Sequence, residues 1–335
     1  MKRIASFFLA LALAFSLTAC TVPVEKADDG KIQIVATLFP YYDFARAIVG
    51  DRADVTLLLS PGREAHSFEP TPLDAVTISE ADVFLYNGGE GEYWVESMLG
   101  AAGENIAVVA RMMDYVDALN EEYVEGMQGA DDHDHDHEHG SHDDHDHDHE
   151  EDEHDSDEIE YDEHIWTSPK NAVVLCRAVC DAICRADAEN AAFYRANCEN
   201  YCAQLEDLDA RFAALCESAP RRLLIFADRF PMLYFCREYG LDYRAAFHGC
   251  SGDTEPSLAT IKFLIDKVED ENIPVVYTID FGTKKVAAVV SECTGAAIET
   301  LYSMQTVSRA DFDAGETYLT LMERNFEALR KGLNA

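Results

Sequence analysis

The chain is short of positive charge. Its 335 residues carry 26 Lys and Arg against 64 Asp and Glu, for a formal net charge of −38. That scarcity argues against nucleic acid or an anionic membrane surface as a partner and favours a cationic ligand. Long apolar runs are lacking past the N-terminus, so no later segment qualifies as a transmembrane helix. Familiar catalytic signatures are missing as well. There is no His-Glu-x-x-His, no Gly-x-Ser-x-Gly and no phosphate-cradling glycine loop. A catalytic zinc needs an open coordination position beside a poised base. Glu255, in Asp253-Thr254-Glu255-Pro256-Ser257, reads better as the start of a helix than as that base. The sequence therefore gives no support to an enzyme.

What is abundant is histidine beside acid. Between Asp131 and Glu163 lie nineteen acids and nine of the twelve histidines, with no Lys or Arg. These histidines are His133, His135, His137, His139, His142, His145, His147, His149 and His154. Neutral imidazole suits Zn²⁺ and similar borderline cations, and carboxylates add oxygen donors. Such a tract cannot bury enough apolar surface to fold, which predicts a solvated loop. A merely solubilising linker would explain the acids but not the histidines. The tract accounts for half of the net charge, and the remainder of the chain is still acidic.

The N-terminus gives an address. Lys2 and Arg3 precede an apolar run over 4–17 that is too short to span a bilayer comfortably. The run ends Leu17-Thr18-Ala19-Cys20, which resembles a bacterial lipobox. On that resemblance residues 1–19 are a lipoprotein signal peptide, Cys20 carries lipid, and 20–30 is a tether. The protein would then be anchored to the outer side of the cytoplasmic membrane, since several acyl chains on one residue hold firmly. A plain secretory signal is the alternative. Of the ten cysteines nine remain after Cys20, an odd number that cannot all pair. Cys176, Cys180 and Cys184 recur every fourth residue, as do Cys198 and Cys202, so each set shares a helix face. Two readings stay open: a thiolate metal site, or small buried hydrophobes in a protein of reducing habitat.

Strand and helix patterns alternate after the tether. Strands are expected over 32–37, 55–59, 83–86 and 106–109, with helices over 41–49, 72–79 and 92–99 between them. Thr71 is the expected N-cap of the second helix. A helical pattern then runs from 168 to about 217, weakened only near Asp187. Further strands are expected over 223–226, 243–247, 275–279 and 298–302, and a last helix over 313–333. Such alternation predicts an α/β fold of mostly parallel sheets flanked by helices. The boundaries expected are a first lobe at 31–167 with the His/Asp-rich loop at about 117–160, a linking spine helix at 168–218, and a second lobe at 219–335.

Ligands of open parallel sheets bind beyond the carboxyl ends of the strands. Two histidines outside the tract stand at such places. His66 follows the second strand in Gly62-Arg63-Glu64-Ala65-His66-Ser67-Phe68-Glu69-Pro70-Thr71-Pro72, and His164 lies in His164-Ile165-Trp166-Thr167-Ser168-Pro169 before the spine. These two segments, with the acidic tract between them, resemble the solute-binding lipoproteins of zinc and manganese ABC importers. The likeness covers essentially the whole mature chain. It implies two α/β lobes bridged by one long helix, with the metal in the cleft between them. It also implies His66 and His164 as the first lobe's ligands and an ABC permease as partner. The second lobe departs from the family pattern. Ala227 stands where Phe226-Ala227-Asp228-Arg229-Phe230 should supply a ligand, and Met304-Gln305 stands where manganese-type members carry an Asp. A hard, oxygen-rich Mn²⁺ site is disfavoured by those losses, and Zn²⁺ is the expected cargo. Asp228, Asp280 and His248 are the replacements to consider, with Glu64, Glu69 and Glu163 as partners for the ligands' second nitrogens.

The reading is a monomeric extracytoplasmic protein that captures Zn²⁺ and delivers it to an importer. A surface metal buffer or adhesin that feeds no transporter is the competing class, because function lives in sites rather than folds.

Overall fold

The computed structural model describes residues 30–65, 67–102, 106–128, 160–249 and 255–334. The signal segment, Cys20, His66 and the nine tract histidines fall outside these residues.

Short β-branched and aromatic runs make the strands. In the first lobe these are β1 (Gln33–Ala36), β2 (Asp54–Leu57), β3 (Val83–Tyr86) and β4 (Val108–Arg111), with helices α1 (Phe39–Val49), α2 (Pro72–Ser79) and α3 (Trp94–Ala102) between them. The second lobe has β5 (Leu223–Phe230), β6 (Asp242–His248), β7 (Val275–Ile279) and β8 (Ala297–Leu301). Its helices are α6 (Leu233–Tyr239), α7 (Leu258–Asp270) and α8 (Lys285–Thr294), followed by α9 (Arg309–Asp313) and α10 (Tyr318–Asn334). The sheet orders are β2-β1-β3-β4 and β6-β5-β7-β8, all parallel, so both lobes repeat one plan. Strand order reverses between β1 and β3 and between β5 and β7, the places where open sheets leave a crevice for ligand. Ile34, Val83 and Phe84 are fully buried, as a parallel sheet covered on both faces requires.

Helix starts follow local chemistry. Thr71 caps α2 in a capping box with Asp74. Ser168 accepts from the Asn171 N–H and Pro169 opens α4 (Pro169–Ala186). The single spine expected over 168–218 is in fact two helices, α4 and α5 (Ala191–Ser218), folded into a hairpin. The break falls where the pattern weakens. Asp187 accepts from the Asn190 N–H and from the Tyr194 hydroxyl, turning the chain back in four residues. The 28-residue α5 is the long element, and it packs against α1 and α10.

Two further expectations shift. Residues 117–128, expected as the start of the loop, instead form a stem that lies along the second lobe. There the Leu119 N–H donates to the Tyr234 hydroxyl at 3.0 Å, and the Gln128 N–H reaches Ala246 O at 3.0 Å. The expected last helix is α9 plus α10, broken near Gly315 at φ 78°.

The described residues from Ile32 onward form one compact unit. Its main core spans both lobes and the hairpin, while a smaller one in the second lobe contains Ile225, Ala227, Phe247 and Val286. Between lobes, Trp166 donates to Ser303 O at 2.7 Å and Tyr318 donates to Trp166 O at 2.7 Å. No described helix is long and apolar enough to cross a membrane.

Candidate metal centre

His164 ends the strap that returns from the tract and stands just before the cap of α4. The residue is 1 % exposed. Asp162, equally buried, accepts from the His164 backbone N–H at 2.7 Å and meets the ring Nδ1 at 3.1 Å. A carboxylate on Nδ1 fixes the tautomer in which Nε2 carries the lone pair, the usual arrangement behind a metal-binding imidazole. Burial opposes the imidazolium, but the charges of Asp162, Glu121 and Glu163 outweigh it and hold the His164 pKa above the ordinary histidine value. Edge-on contact with Trp166, at 5.6 Å between centroids, holds the ring from the side. Gly249, at the end of β6, approaches so closely that a Cβ there would lie 3.1 Å from the His164 ring and 2.9 Å from Phe230 O. Only glycine fits that contact.

A cavity of about 20 Å³ opens at His164, enough for one water or one cation. Glu64 and His164 line it from the first lobe; Arg229, Gly249, Ile279 and Ser303 line it from the second. It therefore sits across the carboxyl ends of β5, β6, β7 and β8. A β-bulge between Phe226 and Arg229 re-aims the end of β5. It leaves Ala227 in the smaller core and puts Arg229 beside Glu64, with Nη1 3.1 Å from Oε1. A neighbouring cavity of about 190 Å³ is lined by Ala227, Asp228 and Phe247 and shares Glu64, Arg229 and Phe281 with the first. The room that a longer side chain at 227 would fill is thus present.

The second-lobe carboxylates differ in what they hold. Asp228 Oδ2 accepts from Thr278 Oγ1 at 2.6 Å, its Oδ1 accepts from the Arg229 N–H, and Gly282 packs against it. Its side chain ties β5 to the end of β7. Asp280 accepts from the Ser303 N–H at 3.2 Å. Burial pushes its carboxyl up to about 7, and the negative charge of Glu64 adds to the rise. His248 lies one residue from the Gly249 contact, but its Nδ1 meets Glu121 Oε1 at 2.8 Å and its ring packs on Tyr123 at 5.1 Å. Met304 is fully buried in the core, while the half of the pair that reaches the cavity is Gln305.

Of the residues expected from sequence, His164 lines the smaller cavity, Asp280 accepts from Ser303, which also lines it, Asp228 lines the adjacent cavity, and His248 is held by the stem. His66 lies outside the described residues. Among the expected carboxylate partners, Glu163 accepts from the Gly91 N–H at 2.7 Å and Glu64 pairs with Arg229. The partner of His164 is Asp162, which sequence reasoning missed. Its signal was position: an acid two residues before a ligand can loop back onto both its backbone and its ring. Glu121 and Arg229 carried no comparable local signal.

Set against known proteins, residues 34–332 match the family model described as zinc-uptake complex component A, periplasmic. The chain belongs to this family. The high-affinity zinc uptake system protein ZnuA of Bacillus subtilis (strain 168) is 31% identical over 336 residues, spanning 99% of this chain and 98% of that protein. The zinc-binding lipoprotein AdcA of Streptococcus pneumoniae (strain ATCC BAA-255 / R6) is 29% identical over 332 residues, which is 99% of this chain and 61% of AdcA. The fold is that of the metal-dependent lipoprotein YcdH from Bacillus subtilis, with a TM-score of 0.72 at 29% identity over 90% of this chain and all of that one. The Zn(II)-bound ZnuA-like domain of Streptococcus pneumoniae AdcA gives 0.71 at 25% identity, over 91% of this chain and all of that one. The importer-lipoprotein resemblance and the two parallel α/β lobes read from the sequence are both borne out.

Proposed function

We propose that the chain captures Zn²⁺ outside the cytoplasmic membrane, held there by lipid on Cys20, and passes it to the permease of an ABC importer. The observation that carries this reading is a buried histidine, oriented through Nδ1 by a buried aspartate, at a cation-sized cavity between two lobes. In it, His164 supplies nitrogen from the first lobe and His66 joins it from the loop after β2. Asp280 is the second-lobe ligand that suits the site best, because the Asp228 carboxylate is engaged in tying strands and the His248 ring is engaged by Glu121. A proton kept near neutral pH on Asp280 is one that an arriving cation displaces, so uptake releases protons and weakens with acid. Two imidazoles and one carboxylate form a donor set for Zn²⁺ rather than for Mn²⁺. Crystals grown with Zn²⁺ test the geometry. Anomalous scattering at the zinc edge should give a peak about 2.0–2.1 Å from His164 Nε2. A sole ordered peak away from His164 would overturn the assignment.

A further inference from the structure

The hairpin that joins the lobes carries a second group of metal-type donors, far in chemistry from the first. Cys176 and Cys180 lie one turn apart on α4, and Cys198 and Cys202 lie one turn apart on α5. The helices run antiparallel, so the two pairs face each other: Cys198 Sγ lies 3.8 Å from Cys176 O and Cys202 Sγ lies 3.9 Å from Val173 O. The sulfurs of Cys176, Cys198 and Cys202 all lie within 4.8 Å of one another, and they are the only such donor cluster among the described residues. Cys198 and Cys202 are 3.9 Å apart. Cys180 stands one turn from Cys176 on the same helix and lies 3.9 Å from Cys184. Metal–sulfur bonds of about 2.3 Å place ligand sulfurs about 3.8–4.0 Å apart in tetrahedral or trigonal geometry. The thiols therefore need to move by only a fraction of an ångström to close on one ion.

We propose that Cys176, Cys198 and Cys202, with Cys180 as a fourth donor, form a buried thiolate site for a thiophilic d¹⁰ cation such as Zn²⁺, and that its occupation locks the α4–α5 hairpin. Each ligating thiol gives its proton to solvent, and no change of oxidation state is involved. A divalent ion with three thiolates leaves one net negative charge, and two once Cys180 also ligates; Arg177 stands close enough to act on both Cys198 and Cys202. Exposure rises from 0 % at Cys176 and Cys202, through 3 % at Cys180 and Cys198, to 7 % at Cys184, beside the hairpin turn. Cys184 is thus the outer rung of a sulfur ladder leading inward. Small apolar packing would explain burial of these residues, but not the convergence of three sulfurs from two helices on one point.

Cd²⁺ is the probe, because thiolate-to-cadmium charge transfer absorbs in the near ultraviolet whereas histidine and carboxylate sites do not. The full chain is reduced, stripped of metal and titrated. The expected result is a charge-transfer band saturating at one equivalent and a ¹¹³Cd resonance in the sulfur-rich range. Both should persist in His164→Ala and Cys293→Ala and be lost in Cys176→Ala/Cys198→Ala, whose thermal midpoint should no longer rise with Cd²⁺. A band and resonance that survive in that double variant would overturn the proposal. So would a wild-type spectrum with no sulfur-rich resonance, a result that needs no variant to fold. The test is independent of the cleft: loss of Zn²⁺ binding at His164 leaves these signals unchanged.

Discussion

At the residue scale the cleft is governed by partners more than by ligands. Asp162 holds His164 in one tautomer and one orientation, and second partners of this kind are worth 10–100-fold in metal affinity. Asp162→Asn keeps the shape but reverses the hydrogen-bonding demand on Nδ1. Calorimetric titration should show Zn²⁺ affinity lowered by about 10–100-fold with the fold intact; unchanged affinity would show that the pair has no role in binding. Glu92 adds a pH dependence of its own. It is buried, its Oε2 accepts from the Gly88 N–H at 2.8 Å, and its Oε1 has no partner among the described residues. Burial pushes its pKa from 4.5 up to about 7. A raised carboxyl pKa favours the protonated fold, so its stabilising contribution is complete below pH about 4.5 and is lost as pH rises through about 7. Asp280 acts in the same direction. Urea unfolding of metal-free protein should therefore show stability falling between pH 5 and pH 8. Glu92 accounts for up to about 3 kcal/mol of that fall. Glu92→Gln should flatten the slope, and an unaltered slope would contradict the assignment. His164 and its loop were legible in the sequence because motif and strand end coincide. Asp162 was within reach, whereas Arg229 was not, because its direction is set by a bulge that no residue type announces.

At the element scale the sequence was clearest where periodicity and caps agree. All eight strands fall within a few residues of the pattern, and Thr71 caps α2 as its spacing predicts. The hairpin was harder. Apolar and cysteine positions continue at helical spacing across 187–190, so the pattern alone reads as one rod. What ends α4 is polar chemistry at a single residue. Asp187 accepts from Asn190 Nδ2 and the Tyr194 hydroxyl, both at 2.7 Å, and from the Asn190 N–H at 3.2 Å. Burial works against its charge, but these donors hold its pKa below the usual carboxylate value. Its contribution is present at neutral pH and lost as pH falls through that lowered pKa. Asp187→Ala should shift the urea midpoint by the equivalent of about 1–3 kcal/mol at neutral pH and by less in acid. An equal loss at pH 3 and pH 7 would show that the turn depends on something other than this carboxylate.

At the scale of the whole molecule, two sheets of the same order present their carboxyl ends to one cavity, and the chain crosses between lobes repeatedly to hold them there. Trp166 reaches Ser303 O, the Tyr318 N–H reaches Asp43 Oδ2 at 2.9 Å, and Arg229 reaches Glu64. These links lie far apart in sequence, which is why the lobes could be read from the residues but the closure between them could not. The histidine tract drew attention first, yet the buried, oriented histidine at the cavity is the better candidate for holding cargo tightly. Titration of Zn²⁺ into two variants by calorimetry separates them: a chain lacking residues 131–154, and the full chain with His164→Ala. The account predicts the tight cleft site retained in the first and lost in the second, where the hairpin thiolates remain beside weak, exchanging sites. Tight binding lost with the tract and kept without His164 would contradict it.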